Sequence, residues 1–376
     1  MDLSEIRKNI DEIDEQLLSL FLKRMECSRG VAEYKTANNM PVLNVQREQE
    51  ILDNIAAKSG DKASAAKLLF STIMDISRAA QYPLVSANAP LRKEITSAKN
   101  AIFEPECVGC QGTAGSYSQM AAQRMYPNAE IKYYPTFEDV FNAVSSGEIE
   151  GGIIPIENSY AGSVVENSDL LIKHDLHINC AYNLPVCHCL VANKGADIKT
   201  VKTVISHEQA LNQCSDFIKE HGYAQKSAAN TAIAAKQVAD GDDITVAAIA
   251  SEATAELYGL QILARAIQTS DNNTTKFVAI AKNMAFSDDS NCISISFCIP
   301  HTPGSLYKTL SKLAAYGMNM TKIESRPDRH SPFQYVFSMD FTGSLCDEAT
   351  VSVLCGMCEE LPVLNILGNY KLLSEN

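Results

Sequence analysis

Ile6, Ile10, Ile13, Leu17, Leu20 and Phe21 recur at steps of three and four, and this spacing commits residues 3–37 to one long helix. Ser4 is placed to cap its start, and Pro41, preceded by polar turn formers, ends the segment. At 1.5 Å per residue the helix is about 50 Å long. Two shorter helical stretches follow at about 46–58 and 62–82, the last closed by Pro83. They cannot cover so long an apolar stripe, so two copies of the chain are expected to intertwine. On periodicity alone, a plain dimerisation arm or coiled coil fits as well.

The remaining sequence is too long and too varied for a helical arm. With 376 residues, 46% apolar and 20% charged, the chain has room for two or three domains. A formal charge of −13 argues against nucleic acid as a partner, while leaving room for small anions in a local basic pocket. No run of about 18 apolar residues spans a membrane. Met1, Asp2, Leu3 and Ser4 open onto charged residues and not onto a signal sequence, so the expected location is cytoplasmic. The 12 cysteines then read as free thiols. The pairs Cys107/Cys110 and Cys355/Cys358 have zinc-like spacing, but one enters a strand and the other a helix. Cys187-His188-Cys189 lies in an apolar run, Leu184 to Ala192, that reads as a buried strand. Core cysteines are the better reading, and no metal or other cofactor is expected.

Four stretches emerge. Residues 1–82 are all-α. Residues 83–105, with Pro83, Pro90 and Pro105, read as a linker. Over 106–284 short apolar runs such as Val204-Ile205, Val246 to Ile249 and Phe277 to Ile280 alternate with helical stretches, an α/β pattern. A break near Leu190 to Asn193 predicts two lobes with a cleft between them. Residues 291–371 read strand, helix, strand, strand, helix, strand, the α+β ferredoxin-like plan.

On the long helix Arg24 and Lys35 lie about 16 Å apart and within roughly 20° of one another, so their side chains can meet on one small ligand. Arg7 sits about 26 Å from Arg24 and about 100° round the helix, so it reaches that ligand only from a partner chain. Ser77 and Gln81 share a face at i,i+4, and Arg47 and Glu48 open the second helix. This set resembles the all-helical chorismate mutases over nearly all of residues 3–82. The resemblance implies that Arg7, Arg24, Asn44, Arg47, Glu48 and Ser77 bind substrate, with Asn44 standing where relatives often carry Asp. Lys35 and Gln81 would donate to the ether oxygen of chorismate as negative charge grows there. Arginines suit the two carboxylates of that substrate.

Residues 106–284 resemble prephenate dehydratases along their length. The loop Gly112-Thr113-Ala114-Gly115-Ser116-Tyr117-Ser118, the run Pro155-Ile156-Glu157-Asn158-Ser159, and Ser206-His207-Glu208-Gln209 with Gln213 each follow an apparent strand. Thr274-Thr275-Lys276-Phe277 is similar to the family's Thr-Arg-Phe signature, with Lys276 in place of arginine. The resemblance implies that Thr275 is catalytic and that Ser118, Asn158, Gln209, Gln213, Thr231 and Lys276 bind substrate, with Asn158 and Gln213 (or Gln209) holding the departing groups.

Gly304-Ser305-Leu306 and Glu324-Ser325-Arg326-Pro327 resemble the phenylalanine-binding signatures of ACT domains fused to dehydratases. They imply an effector site made by Gly304, Ser305, Leu306, Glu324, Ser325 and Arg326, with feedback inhibition by L-phenylalanine. The expected function is therefore two steps of L-phenylalanine biosynthesis in one homodimer or higher homo-oligomer, chorismate to prephenate to phenylpyruvate. Two rivals use the same residues: a dehydratase whose helices only dimerise, and an amino-acid sensor without catalysis.

Overall fold

In a computed structural model the described residues are 2–85, 90–270, 273–327 and 335–373. The chain divides into two compact units, Met1–Lys99 with Cys292–Ile366, and Asn100–Asn291 with Leu367–Asn376.

The first unit begins with α1 (Leu3–Ala37), α2 (Val45–Ser59) and α3 (Ala63–Val85). Asp2, not Ser4, holds the N-cap position of α1. Only Ser28 and Ala32 of α1 are buried. The apolar stripe that defines the helix lies open: Ile10, Ile13 and Leu17 are 50%, 55% and 54% exposed. Asn44 caps α2, its side chain accepting from the Arg47 N–H at 3.0 Å. α3 runs through Pro83 to Val85, beyond the stop predicted from that proline. Proline costs a helix the hydrogen bond of its missing N–H, and here only the final turn follows it.

The expected linker is also partly helical. Pro90 begins α4 (Pro90–Ala98), a position where its missing N–H costs nothing. Ile95 and Ala98 are buried, and Arg92 makes a forked ion pair with Glu348 at 2.7 and 2.8 Å. Residues 86–89 of that stretch lie outside the described residues.

The second unit has two lobes. Its first sheet is built from β1 (Cys107–Gln111), β2 (Glu130–Tyr134), β3 (Gly151–Asn158), β4 (Gly162–Ser163), β5 (His177–Pro185), β11 (Thr274–Ala281) and β16 (Leu372–Leu373). The order is β16-β5-β11-β3-β1-β2, with β4 on β3. Helices α5 (Tyr117–Met125), α6 (Phe137–Ser146) and α7 (Val165–Lys173) belong to this lobe. The other lobe holds β6 (Cys189–Ala192), β7 (Thr203–Ser206), β8 (Ala224–Ser227), β9 (Val246–Ala250) and β10 (Gln261–Ala264), in the order β10-β6-β9-β7-β8. Its helices are α8 (Glu208–Gln213), α9 (Ser215–His221), α10 (Thr231–Ala239) and α11 (Glu252–Tyr258).

The chain crosses between lobes twice, from β5 to β6 and from β10 to β11. The run Leu184–Ala192 is thus not one strand: β5 ends at Pro185, residues 186–188 cross over, and β6 starts at Cys189. Cys187 is exposed, contrary to the core reading.

The first unit is completed by β12 (Cys292–Cys298), α12 (Ser305–Ala315), β13 (Met320–Pro327), β14 (Tyr335–Thr342), α13 (Glu348–Glu360) and β15 (Val363–Tyr370), whose second half belongs to the other unit. The sheet order is β13-β14-β12-β15, so β13 is an edge strand. Ile293, Ile295 and Phe297 of β12 are wholly buried. Cys355 and Cys358 lie on α13, and among the described residues no cluster of His, Cys, Asp and Glu is fit to hold a metal. No described helix is long and apolar enough to cross a membrane.

Candidate active sites

The first site forms where the C-terminal half of α1 meets α3. Lys35 Nζ stands 3.3 Å from Gln81 Oε1 and also donates to the Val42 carbonyl. The Arg24 guanidinium donates to Ser77 Oγ, and to the Ile73 carbonyl at 3.3 Å. Ser77 and Gln81 are buried, and burial draws the Lys35 ammonium below its ordinary pKa, with the Glu48 carboxylate pulling the other way. Arg24 with Ser77, and Lys35 with Gln81, therefore meet across α1 and α3.

Arg7, Arg47 and Asn44 do not join this group within one chain, and Glu48, near enough to act on Lys35, is held by another cation. Arg7 is exposed near the start of α1. Arg47 is exposed and pairs with Glu50 at 3.3 Å, while Asn44 is occupied as the α2 cap. Glu48 pairs with Arg78, a residue that spacing arguments passed over. Arg78 is 6% exposed and also engages Asp75 and, at 3.0 Å, Glu360 of α13, which Lys312 meets from α12. Its signal in the sequence was that Asp75 and Arg78 are the only charges in the last two-thirds of α3, at i,i+3 in an otherwise apolar and neutral run.

Replacing Arg78 by methionine would leave three largely buried carboxylates without their common cation. The expected cost is about 3–5 kcal/mol of folding stability, read by urea denaturation followed by circular dichroism.

The second site is a cavity of about 470 Å³ between the lobes of the second unit. Ser118, Asn158, Gln209, Gln213, Thr231 and Thr275 all line it. Lys276 does not. Successive residues of a strand face opposite ways, and the Lys276 ammonium goes to Tyr370, 3.1 Å from its hydroxyl and 5.4 Å from the ring centroid. Among the described lining residues there is no lysine or arginine. The positive ends of α5, α7 and α10 meet the cavity instead, at Ser116, Val164 and Thr231. Gly112 and Gly115, both in the left-handed region (φ 111° and 85°), turn the chain from β1 into α5. The Gly115 carbonyl accepts from Thr254 Oγ1 at 2.7 Å, which ties this loop to α11.

At the cavity wall Asn158 Nδ2 donates to Thr275 Oγ1 at 2.9 Å and to Asn273 Oδ1 at 2.8 Å. Gln213 Oε1 stands 2.8 Å from His188 Nε2. His188 also lines the cavity and is 2% exposed; burial pulls its pKa below the ordinary value. Sequence reasoning had placed it in a strand. His207 lines the cavity too, and its ring caps α8 by accepting from the Gln209 N–H at 3.3 Å.

The predicted effector residues fall in the first unit. Gly304, left-handed at φ 84°, precedes α12, where Ser305 and Leu306 form the first turn. Glu324, Ser325 and Arg326 lie on the edge strand β13. A second cavity of about 460 Å³, lined by residues including His301, Tyr335 and Phe337, contains none of them.

A family model for chorismate mutase type II matches residues 6–82, and one for prephenate dehydratase matches residues 108–285. The bifunctional chorismate mutase/prephenate dehydratase of Aquifex aeolicus (strain VF5) is 31% identical over 373 residues, covering 98% of each chain. The chain belongs to the bifunctional chorismate mutase/prephenate dehydratase family.

It joins a mutase and a dehydratase of L-phenylalanine biosynthesis in one polypeptide. The arogenate dehydratase/prephenate dehydratase 2 of Arabidopsis thaliana is 39% identical over 274 residues, covering 70% of this chain and 72% of that protein. A solved prephenate dehydratase from Arthrobacter aurescens, in complex with L-Phe, is 26% identical with a TM-score of 0.64, and covers 70% of this chain and 89% of that one. The mutase match ends within α3, and the dehydratase match spans both lobes.

Proposed function

We propose that residues 1–82 rearrange chorismate to prephenate, that residues 106–284 convert prephenate to phenylpyruvate, and that residues 291–371 form a ferredoxin-like ACT domain through which L-phenylalanine inhibits the enzyme in the cytoplasm. The observation that carries the first step is the convergence of Lys35 and Gln81, 3.3 Å apart, beside Arg24 and Ser77. Both are hydrogen-bond donors to an ether oxygen that gains negative charge as its bond to carbon breaks, so they bind the transition state more tightly than the ground state. Arg24 holds a carboxylate with Ser77 beside it, and Glu48 holds the ring hydroxyl.

Arg7 completes the site from a second copy of the chain. The exposed stripe of α1 supports such an intertwined dimer, because Ile10, Ile13 and Leu17 have no cover within one chain. A mixing experiment tests the shared site. Arg7→Ala and Lys35→Ala chains, each inactive as a mutase, are refolded together in equal amounts. Statistical pairing of the two chains then restores about a quarter of wild-type mutase turnover. No recovery would remove the partner's arginine from the site.

In the second step the ring hydroxyl leaves with its bonding electrons while the carboxylate leaves as carbon dioxide. The electron pair of that broken carbon–carbon bond completes the aromatic ring. Thr275 directs its hydroxyl at the departing oxygen, and Ser118, Asn158, Gln209, Gln213 and Thr231 hold the substrate. The helix N-termini around the cavity supply the attraction for its carboxylates.

Effector binding is assigned to the turn at Gly304-Ser305-Leu306 and to Glu324-Ser325-Arg326. The Arg326→Ala variant is expected to retain both turnovers and to require at least tenfold more L-phenylalanine for half-inhibition, about 1.4 kcal/mol of lost effector binding. The whole reading is tested by following chorismate loss and phenylpyruvate formation by the purified enzyme with and without L-phenylalanine. Dehydratase turnover without mutase turnover would leave the helices a dimerisation arm, and phenylalanine binding without either turnover would leave a sensor.

A further inference from the structure

Five polar side chains in the dehydratase cleft, Thr275, Asn158, Asn273, Gln213 and His188, form one unbroken line, and the backbone fixes its direction. Asn158 Oδ1 accepts from the backbone N–H groups of Tyr160 at 3.1 Å and Ala161 at 2.9 Å. A backbone N–H only donates, so the Asn158 amide is held one way round and Nδ2 is its donor end. That nitrogen reaches Asn273 Oδ1 at 2.8 Å and Thr275 Oγ1 at 2.9 Å. Asn273, with its oxygen so used, turns its own Nδ2 to Gln213 Oε1 at 3.1 Å. Gln213 Oε1 is an acceptor, so the His188 nitrogen facing it at 2.8 Å, Nε2, carries a proton. In a neutral ring Nδ1 then carries no proton; the Tyr117 hydroxyl beside it at 3.2 Å gives its own proton to the Cys187 carbonyl at 2.8 Å, so the directed line ends at His188. Asn158, Gln213, His188 and Asn273 are each at most 6% exposed, so water does not scramble the order.

The consequence falls on Thr275. Its oxygen receives a hydrogen bond from Asn158, so its own proton is left to point into the cavity. We propose that Asn273 and His188 are positioning residues of the dehydratase, which lock the hydrogen-bond direction of the cleft so that Thr275 presents a proton, and not a lone pair, to the oxygen that leaves the substrate. The inference rests on the dehydratase reading of this cavity. When the carbon–oxygen bond breaks, its electron pair goes to the departing oxygen. The Thr275 O–H stabilises that charge by hydrogen bonding and keeps its proton. The hydroxide becomes water by taking a proton from solvent.

Two substitutions at Asn273 separate direction from packing. Asn273→Ala removes the link but leaves Asn158 anchored by its two backbone donors, and lowers kcat for prephenate by about fivefold to tenfold. Asn273→Asp is nearly isosteric, yet it sets a carboxylate oxygen against Gln213 Oε1 and draws Asn158 Nδ2 away from Thr275. Its kcat falls further, by about 100-fold, with KM for prephenate changed less than about threefold in both variants. A packing role predicts the reverse order, with the aspartate variant close to wild type, and that order overturns the proposal.

A second measurement needs no variant to be active. In full-length enzyme labelled with ¹⁵N at histidine, the His188 signals, assigned by their loss in His188→Gln, are expected from a neutral ring protonated at Nε2. A ring protonated at Nδ1 overturns the proposal. If the wild-type enzyme fails to turn over prephenate while His188 shows the expected tautomer, the dehydratase reading fails and the locked direction stands.

Discussion

Thr275→Ala is expected to lower prephenate turnover by about 10²- to 10³-fold while chorismate rearrangement continues at the wild-type rate. The substitution removes the one hydroxyl that receives the Asn158 amide proton and faces the cavity. The next residue does not replace it, because Lys276 faces Tyr370. The loss should appear in kcat more than in KM, because a hydrogen bond to a departing oxygen strengthens as charge develops. Thr275→Ser keeps the proton and is expected to retain activity within about tenfold. Phenylpyruvate formation measured on the two variants decides the matter, and an alanine variant with near-normal kcat would move the chemistry to another residue.

Lys35→Ala is expected to have the opposite selectivity, lowering chorismate turnover by about 10³-fold or more and leaving the dehydratase untouched. Lys35 donates to Gln81 Oε1 at 3.3 Å while Gln81 Nε2 donates to the Ser77 carbonyl at 3.2 Å, and of the two side chains only the lysine brings a full charge. Burial draws its pKa below the ordinary 10.5, so the ammonium is lost at lower pH than in a free lysine. Only the protonated form stabilises the ether oxygen. Mutase activity in the wild-type enzyme should therefore fall on the alkaline side earlier than a solvent-exposed lysine would allow. A pH profile of kcat gives the midpoint, and a profile flat to pH 10.5 would contradict the role assigned to Lys35.

How far these sites were legible depends on whether their signals were local. Arg24, Lys35, Ser77 and Gln81 sit on helices, where a regular rise and turn convert spacing directly into geometry, and Arg24 meets Ser77 as Lys35 meets Gln81. Strand alternation was equally available for Thr275 and Lys276. Neighbours on one strand cannot both face one cleft, and that rule alone would have excluded the lysine. His188 was hidden by its neighbours: Leu184, Val186, Cys189 and Leu190 made the run look like core, whereas three residues of it cross between lobes. Asn44 was read for its chemistry, yet its side chain is spent on the Arg47 N–H at the start of α2. Of the partners of Arg78, Asp75 was local, but Glu360 had no local signal at all, since it lies 282 residues away. α4 was lost to the habit of reading prolines as breakers, although a proline at the first position of a helix is well tolerated.

That long-range contact bears on how such a chain can be inherited. A buried guanidinium answered by carboxylates from opposite ends of the polypeptide binds those ends into one evolutionary lot. A recombination event that exchanged the C-terminal segment without its glutamate, or grafted in a helical segment lacking the arginine, would leave an unmatched charge at the seam. Fusion here has gone past tethering: the parts have become each other's interior.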